Sequence, residues 1–149
     1  MNKLLNVVIC GWLIVVLNSC NQAPGSYPNA ELYEIGVSEE KLIEAVNVFK
    51  TRNNQFTVPE DIPLLDGRRD SLDHWYHIYF FDSDRNEVIK TWVRGFGSSK
   101  TKFALIAVYD SKFTERWKFV NKDFSQSENN EVKKRFEDKI LIPVKKILQ

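Results

Sequence analysis

Apolar residues recur at helical spacing early in the chain and at strand spacing in its middle, and this change of period lays out the domain. Leu42, Ile43, Val46 and Phe49 follow Ser38-Glu39-Glu40 and stop at Asn53-Asn54. A hydroxyl N-cap, acids in the first turn and an apolar stripe three and four residues apart predict an amphipathic helix over residues 38–52. Its polar face, Lys41, Glu44, Asn47 and Lys50, reads as solvated. Residues 56–73 then carry Pro59, Pro63, Asp66-Gly67 and the charged run Arg68-Arg69-Asp70. These break any long regular element, so a long ordered loop is expected, with one short strand near residues 55–58.

From His74 the pattern alternates. Residues 74–81 (HWYHIYFF) and 87–94 (EVIKTWVR) are aromatic and β-branched, and the polar turn Asp82-Ser83-Asp84-Arg85-Asn86 separates them. That is a β-hairpin signature. Residues 103–109 (FALIAVY) form a continuous apolar run suited to a central strand covered on both faces. Residues 116–120 (RWKFV) read as a half-buried strand, with Trp117 and Phe119 expected on opposite faces. Ser125 and Glu128 have capping-box spacing. A long helix should follow, burying Val132, Phe136, Ile140, Val144 and Ile147, with a kink or break at Pro143. The expected fold is α+β: a four- to five-stranded antiparallel sheet with an N-terminal and a long C-terminal helix packed on one face.

The first twenty residues have a different character. Lys3 supplies a positive start, and residues 7–17 (VVICGWLIVVL) form an apolar run of signal-peptide length, too short to span a bilayer. The run ends in Leu17-Asn18-Ser19-Cys20, which resembles the lipobox of bacterial lipoproteins, although Asn18 departs from the residues usual at its position. The resemblance implies a signal peptide over residues 1–19, cleavage before Cys20, a diacylglycerol thioether on its thiol and attachment to a membrane through acyl chains. Asn21, rather than Asp, follows the cysteine, which by analogy with enteric bacteria implies an outer-membrane location over an inner one. An ordinary secretory signal or an uncleaved anchor is the alternative reading of the same run. Residues 20–30, rich in Pro, Gly and small polar side chains, are expected to be a flexible tether, leaving 31–149 as one domain.

Charge and cysteine count narrow the function. The net charge is +1, and loss of Lys3 balances it, so the chain offers no electrostatic footprint for nucleic acid. With Cys10 inside the removed segment, Cys20 has no partner for a disulfide. No motif implies a cofactor or a metal. Gly95-Phe96-Gly97-Ser98-Ser99-Lys100-Thr101 lacks P-loop spacing. Asp82, Asp84 and Asn86 lack the remainder of a calcium loop. His74 and His77 fall on opposite faces of a strand and cannot share an ion.

What remains is a charged loop beside an aromatic strand. Arg68, Arg69, Trp75, Tyr76, Trp92 and Arg94 make a candidate binding surface, because Trp, Tyr and Arg dominate binding hot spots. The expectation is a non-enzymatic, membrane-anchored envelope lipoprotein with a macromolecular partner, one version being an immunity or inhibitor protein. Alternatives are a small hydrolase using Asp73 or His77, and a carrier of a small apolar ligand between sheet and helices.

Overall fold

The computed structural model describes residues 27–110 and 116–149; the expected signal peptide, Cys20 and the expected tether as far as residue 26 lie outside the described residues. The fold is α+β, built on a five-stranded antiparallel sheet with helices. Strands β1 (Glu31–Ile35), β2 (Tyr76–Asp82), β3 (Glu87–Gly95) and β4 (Thr101–Asp110) lie in the order β1-β4-β3-β2, and β5 (Trp117–Phe119) also pairs with β4. One edge of β4 therefore holds two strands end to end: Glu31 to Ile35 pair with Leu105 to Thr101, and Phe119 to Trp117 with Ala107 to Tyr109. β1 fell in a stretch for which the sequence reading predicted no strand. Its alternation covers only five residues, ELYEI, directly after the tether.

Helix α1 (Glu39–Arg52) begins as its sequence indicates. Ser38 caps it by accepting from the Lys41 backbone N–H at 3.4 Å, and Leu42, Ala45, Val46 and Phe49 are buried. The strand expected near residues 55–58 is instead a 3₁₀ turn, Asn54–Phe56, which tucks Phe56 against Phe49 with ring centroids 5.3 Å apart. α2 (Gln126–Phe136) has the complete Ser125–Glu128 capping box. It runs through a π-helical turn, Glu137–Leu141, into α3 (Ile142–Ile147). The wide turn falls just before Pro143, where the missing N–H would break an α-helical ladder, so the expected kink takes the form of a π-bulge.

One core cluster joins these helices to one face of the sheet. It holds Leu42, Val46 and Phe49 of α1, Phe136, Ile140 and Val144 of the C-terminal segment, and Ile78, Phe80, Ile89, Val93, Phe103 and Leu105 of the strands. A register shift between Lys90 and Thr91 leaves Ile106 as an extra residue in β4. This bulge sends both Ile106 and Ala107 to the other face and returns Val108 to the main core. Trp117 and Phe119 correct the expectation of opposite faces: both lie in the second cluster, as a separation of two residues in a strand requires.

Ion pairs bind the β2–β3 turn to the C-terminal segment. Arg135 meets Glu87 at 2.6 Å, and Lys139 meets Asp82 at 3.2 Å and Asp84 at 3.0 Å. Asp82 and Asp84, the fragment of a calcium-loop pattern, are thus committed to a lysine. Phe103 is wholly buried between Phe80 and Phe136, with centroids 6.5 and 5.4 Å away. Phe103→Ala is expected to lower unfolding free energy by about 3–5 kcal/mol in a denaturant titration, with a native-like spectrum retained.

Candidate functional site

The helices cover one face of the sheet; the other face carries the candidate site. Strand parity places His77 and Tyr79 of β2, Lys90, Trp92 and Arg94 of β3, and Trp117 and Phe119 of β5 on this open face. Trp75 reaches it from the loop, and Trp75, Trp92 and Trp117 are the three tryptophans that follow Cys20 in the chain. Residues 27–30, which the sequence assigns to the tether, lie against the same face. Tyr27 packs edge-on against Trp75 at 5.6 Å and near Trp92 at 6.3 Å, while Ala30 packs on the cluster around Ala104 and Ile106.

The loop at residues 57–75 is pinned along the free edge of β2, which explains how a segment rich in breakers is ordered. Gly67, at φ 145°, exchanges two 2.9 Å backbone hydrogen bonds with His77. Asp66 accepts from the Tyr79 N–H at 2.9 Å and from Lys50 Nζ at 2.5 Å. These contacts blunt an exposed strand edge and hold Arg69 and Trp75 beside the sheet.

Four of the six sequence-predicted residues come together. Trp92 is nearly buried at the centre of the face, at 6% exposure. Trp75 is half-buried, with the Arg94 guanidinium 5.7 Å above its ring. Arg69 donates to the Tyr27 hydroxyl at 3.1 Å. The other two are drawn elsewhere. Tyr76 projects to the helix side and packs on the main core, because it is one residue out of phase with Trp75 and His77. Arg68 pairs with Glu39 at the start of α1 and donates to the Asp73 carbonyl at 3.0 Å.

His77 and Asp73 form an acid–base pair in the site, with Nε2 3.1 Å from the Asp73 carboxylate. His77 is only 2% exposed. A carboxylate accepts only, so Nε2 carries the proton; Nδ1 then bears a lone pair, buried and without a hydrogen-bond partner. Burial, together with the charge of Arg69, pushes the His77 pKa below its ordinary 6.5, outweighing the pull of Asp73. Burial pushes Asp73 upward, but hydrogen bonds from the Trp75 and Arg69 N–H groups and from His77 outweigh it and hold the carboxyl below its ordinary range. His74 is exposed, with its ring 6.2 Å from that of Trp75.

The sequence-predicted surface does not include Tyr27, Tyr79, Lys90, Trp117 and Phe119, which the structure places on this face. Lys90 had a usable signal, since it lies two residues from Trp92 in a strand and must share its face. Tyr27 had none, because Pro and Gly around it mask its packing role. Beside Tyr27 is a pocket of about 180 Å³ lined by Ala30, Ile106, Phe119 and Lys122, smaller than the roughly 300 Å³ of typical small-molecule sites. A broader shallow depression of about 590 Å³ lies on the flank, between α1 and the loop carrying Leu64 and Leu65. Among the described residues, no group of three or more His, Cys, Asp or Glu side chains is placed to hold a metal ion.

Comparison with family models, curated proteins and solved structures returns no match. The functional reading therefore rests on the geometry of the open face.

His77 also fixes an expected pH response. Its folded pKa is depressed, so between that value and 6.5 the unfolded chain binds the extra proton, and stability falls as pH drops through this window. Denaturant titrations between pH 8 and 5 should show wild-type stability declining below about 6.5. His77→Gln should be less stable at pH 8 and lack that decline.

Proposed function

We propose that this chain is a lipid-anchored protein of the cell envelope, cut before Cys20, whose domain is a non-enzymatic binding module for a macromolecular partner. One concrete version is an immunity or inhibitor protein that guards the envelope against a toxin. A single observation carries the binding reading: the sheet face without helices gathers Trp75, Trp92 and Trp117 with Arg69 and Arg94. Elsewhere, arginines such as Arg135 and Arg68 are tied to carboxylates. Arg94 is exposed and lies over an aromatic ring, an arrangement suited to a contact with another molecule.

A hydrolase is the second reading, and the 3.1 Å Asp73–His77 pair is what favours it. The imidazole is 2% exposed, however, with one nitrogen held by Asp73 and the other sealed from solvent. Such a base cannot meet a substrate unless Tyr27 and its neighbours move, and this supports binding over catalysis. The pair instead orients the chain at Trp75, whose backbone N–H donates to Asp73 at 3.0 Å.

Two measurements test the proposal. Cys20→Ser should release the protein from the membrane fraction and remove the mass of the acyl chains; unchanged fractionation would overturn the anchor. A photo-crosslinking residue at position 94 in intact cells should give a discrete adduct that Trp75→Ala weakens, and a blank at position 94 would overturn the binding face. Arg94→Ser, an exposed change, is expected to alter stability by no more than about 0.5 kcal/mol and serves as the comparison for Trp75→Ala.

A further inference from the structure

Lys90 is a half-buried cation of this face that sits between two rings without a carboxylate among the described residues. Its ammonium is half-buried, 5.9 Å from the Tyr27 ring centroid and 5.5 Å from that of Trp117. Among the described residues it has no ion pair or hydrogen bond. Four other partly buried cations are paired, Lys50 with Asp66, Lys133 with Glu31, Arg135 with Glu87, and Lys139 with Asp82, whereas Lys102 and Lys118, like Lys90, lie over rings. Two acids held beside β2 are committed elsewhere, Asp73 to His77 and to the Trp75 and Arg69 backbone N–H groups, and Asp66 to Lys50 and the Tyr79 N–H. A charged influence on Lys90 is a like one, Arg69.

We propose that Lys90, with Arg69 beside it, is a carboxylate socket at the centre of the open face, taking an Asp or Glu side chain from an acidic surface of a protein partner. The proposal rests on the open-face binding reading and names the chemistry of its partner. A desolvated ammonium between two aromatic walls is costly when alone and forms a strong ion pair once a carboxylate enters, because the rings exclude screening water. Burial, with Arg69 adding to it, holds the Lys90 ammonium below its ordinary pKa range, in keeping with a charge that lacks its counterpart. The shape selects the occupant. Tyr27, Tyr79 and Trp117 are locked by ring contacts, with Trp117 6.3 Å from Tyr79 and 5.5 Å from Tyr109. Lys90 is thus recessed between fixed rings, where a projecting side chain reaches it and a flat layer of lipid headgroups does not.

The test uses the full-length protein in non-ionic detergent, with poly-L-glutamate as the probe, and follows tryptophan emission and the melting temperature. Poly-L-glutamate should shift the emission and raise the melting temperature at low salt, with both effects fading at high salt. Lys90→Met should weaken the apparent affinity about thirtyfold or more while melting no lower than wild type; Lys90→Arg should keep the response. Lys145→Met, a change at an exposed position of α3, should leave it intact. A wild-type response from Lys90→Met, or none from the wild type, overturns the socket. A Lys90-dependent response to phosphatidylglycerol vesicles but not to poly-L-glutamate overturns the protein assignment in favour of a headgroup. Failure of the wider reading looks different: the probe binds through Lys90, yet crosslinking from position 94 stays blank.

Discussion

The fold depends on β4 (Thr101–Asp110) being covered on both faces and paired along both edges. One edge pairs with β3; the other is shared by β1 and β5, which meet end to end. Its residues 103–108 are at most 4% exposed, so its backbone groups must be paired within the sheet and its side chains must find apolar partners on both sides. The helices supply those partners for Phe103, Leu105 and Val108. For Ala104, Ile106 and Ala107 they come from Trp92, Trp75, Trp117, Phe119 and the segment at Tyr27 and Ala30. The aromatic face is therefore first a structural answer to a strand that is apolar throughout. The small side chains of Ala104 and Ala107 on that side of β4 leave room for the rings to close over it.

That division was partly legible in the sequence. The helix at residues 38–52, the hairpin, the central strand and the capped C-terminal helix could be read because each has a long period or a definite cap. β1, a five-residue edge strand, could not be, since its pairing is supplied by a partner 70 residues away in the chain. The β4 bulge was also hidden: FALIAVY is apolar at every position, so no alternation marks where the phase changes. For the site, Trp75, Trp92 and Arg94 followed from residue type. Residue type alone does not separate Tyr76, which strand parity turns to the helix side, from Lys90, which it places beside Trp92.

The electrostatics separate the two faces. On the helix side and at the β2–β3 turn, cations and carboxylates interlock around Asp82, Glu87, Arg135 and Lys139. These contacts fix the C-terminal segment over the sheet and leave little charge for another molecule. On the open face the cations lie over rings: Arg94 over Trp75, Lys90 over Tyr27 and Trp117, Lys102 over Phe96, Lys122 over Phe119. Cation–π contacts hold such charges in place without neutralising them. Glu34, opposite Lys102 in the register, and the committed Asp73 are the acids this side presents among these residues. A chain that is neutral overall thus carries a local cationic surface, which its net charge alone conceals.

The N-terminal segment ties this surface to the proposed anchor. Tyr27 is seven residues after Cys20, and seven residues fully extended span at most about 25 Å. Tyr27 packs within the aromatic cluster on the open face itself, rather than on the helix side. If acyl chains hold Cys20 in a bilayer, Tyr27 cannot lie farther than that span from the membrane surface. The domain would then be unable to turn its aromatic face fully outward without pulling Tyr27 out from beside Trp75, His77 and Trp92. A partner on this face would therefore be met in the layer next to the membrane, entering from the side. Arg69 strengthens that coupling: it donates to the Tyr27 hydroxyl and also contributes to the charge around Lys90. The contact that keeps the tether docked thus belongs to the same cluster that would receive the partner's carboxylate.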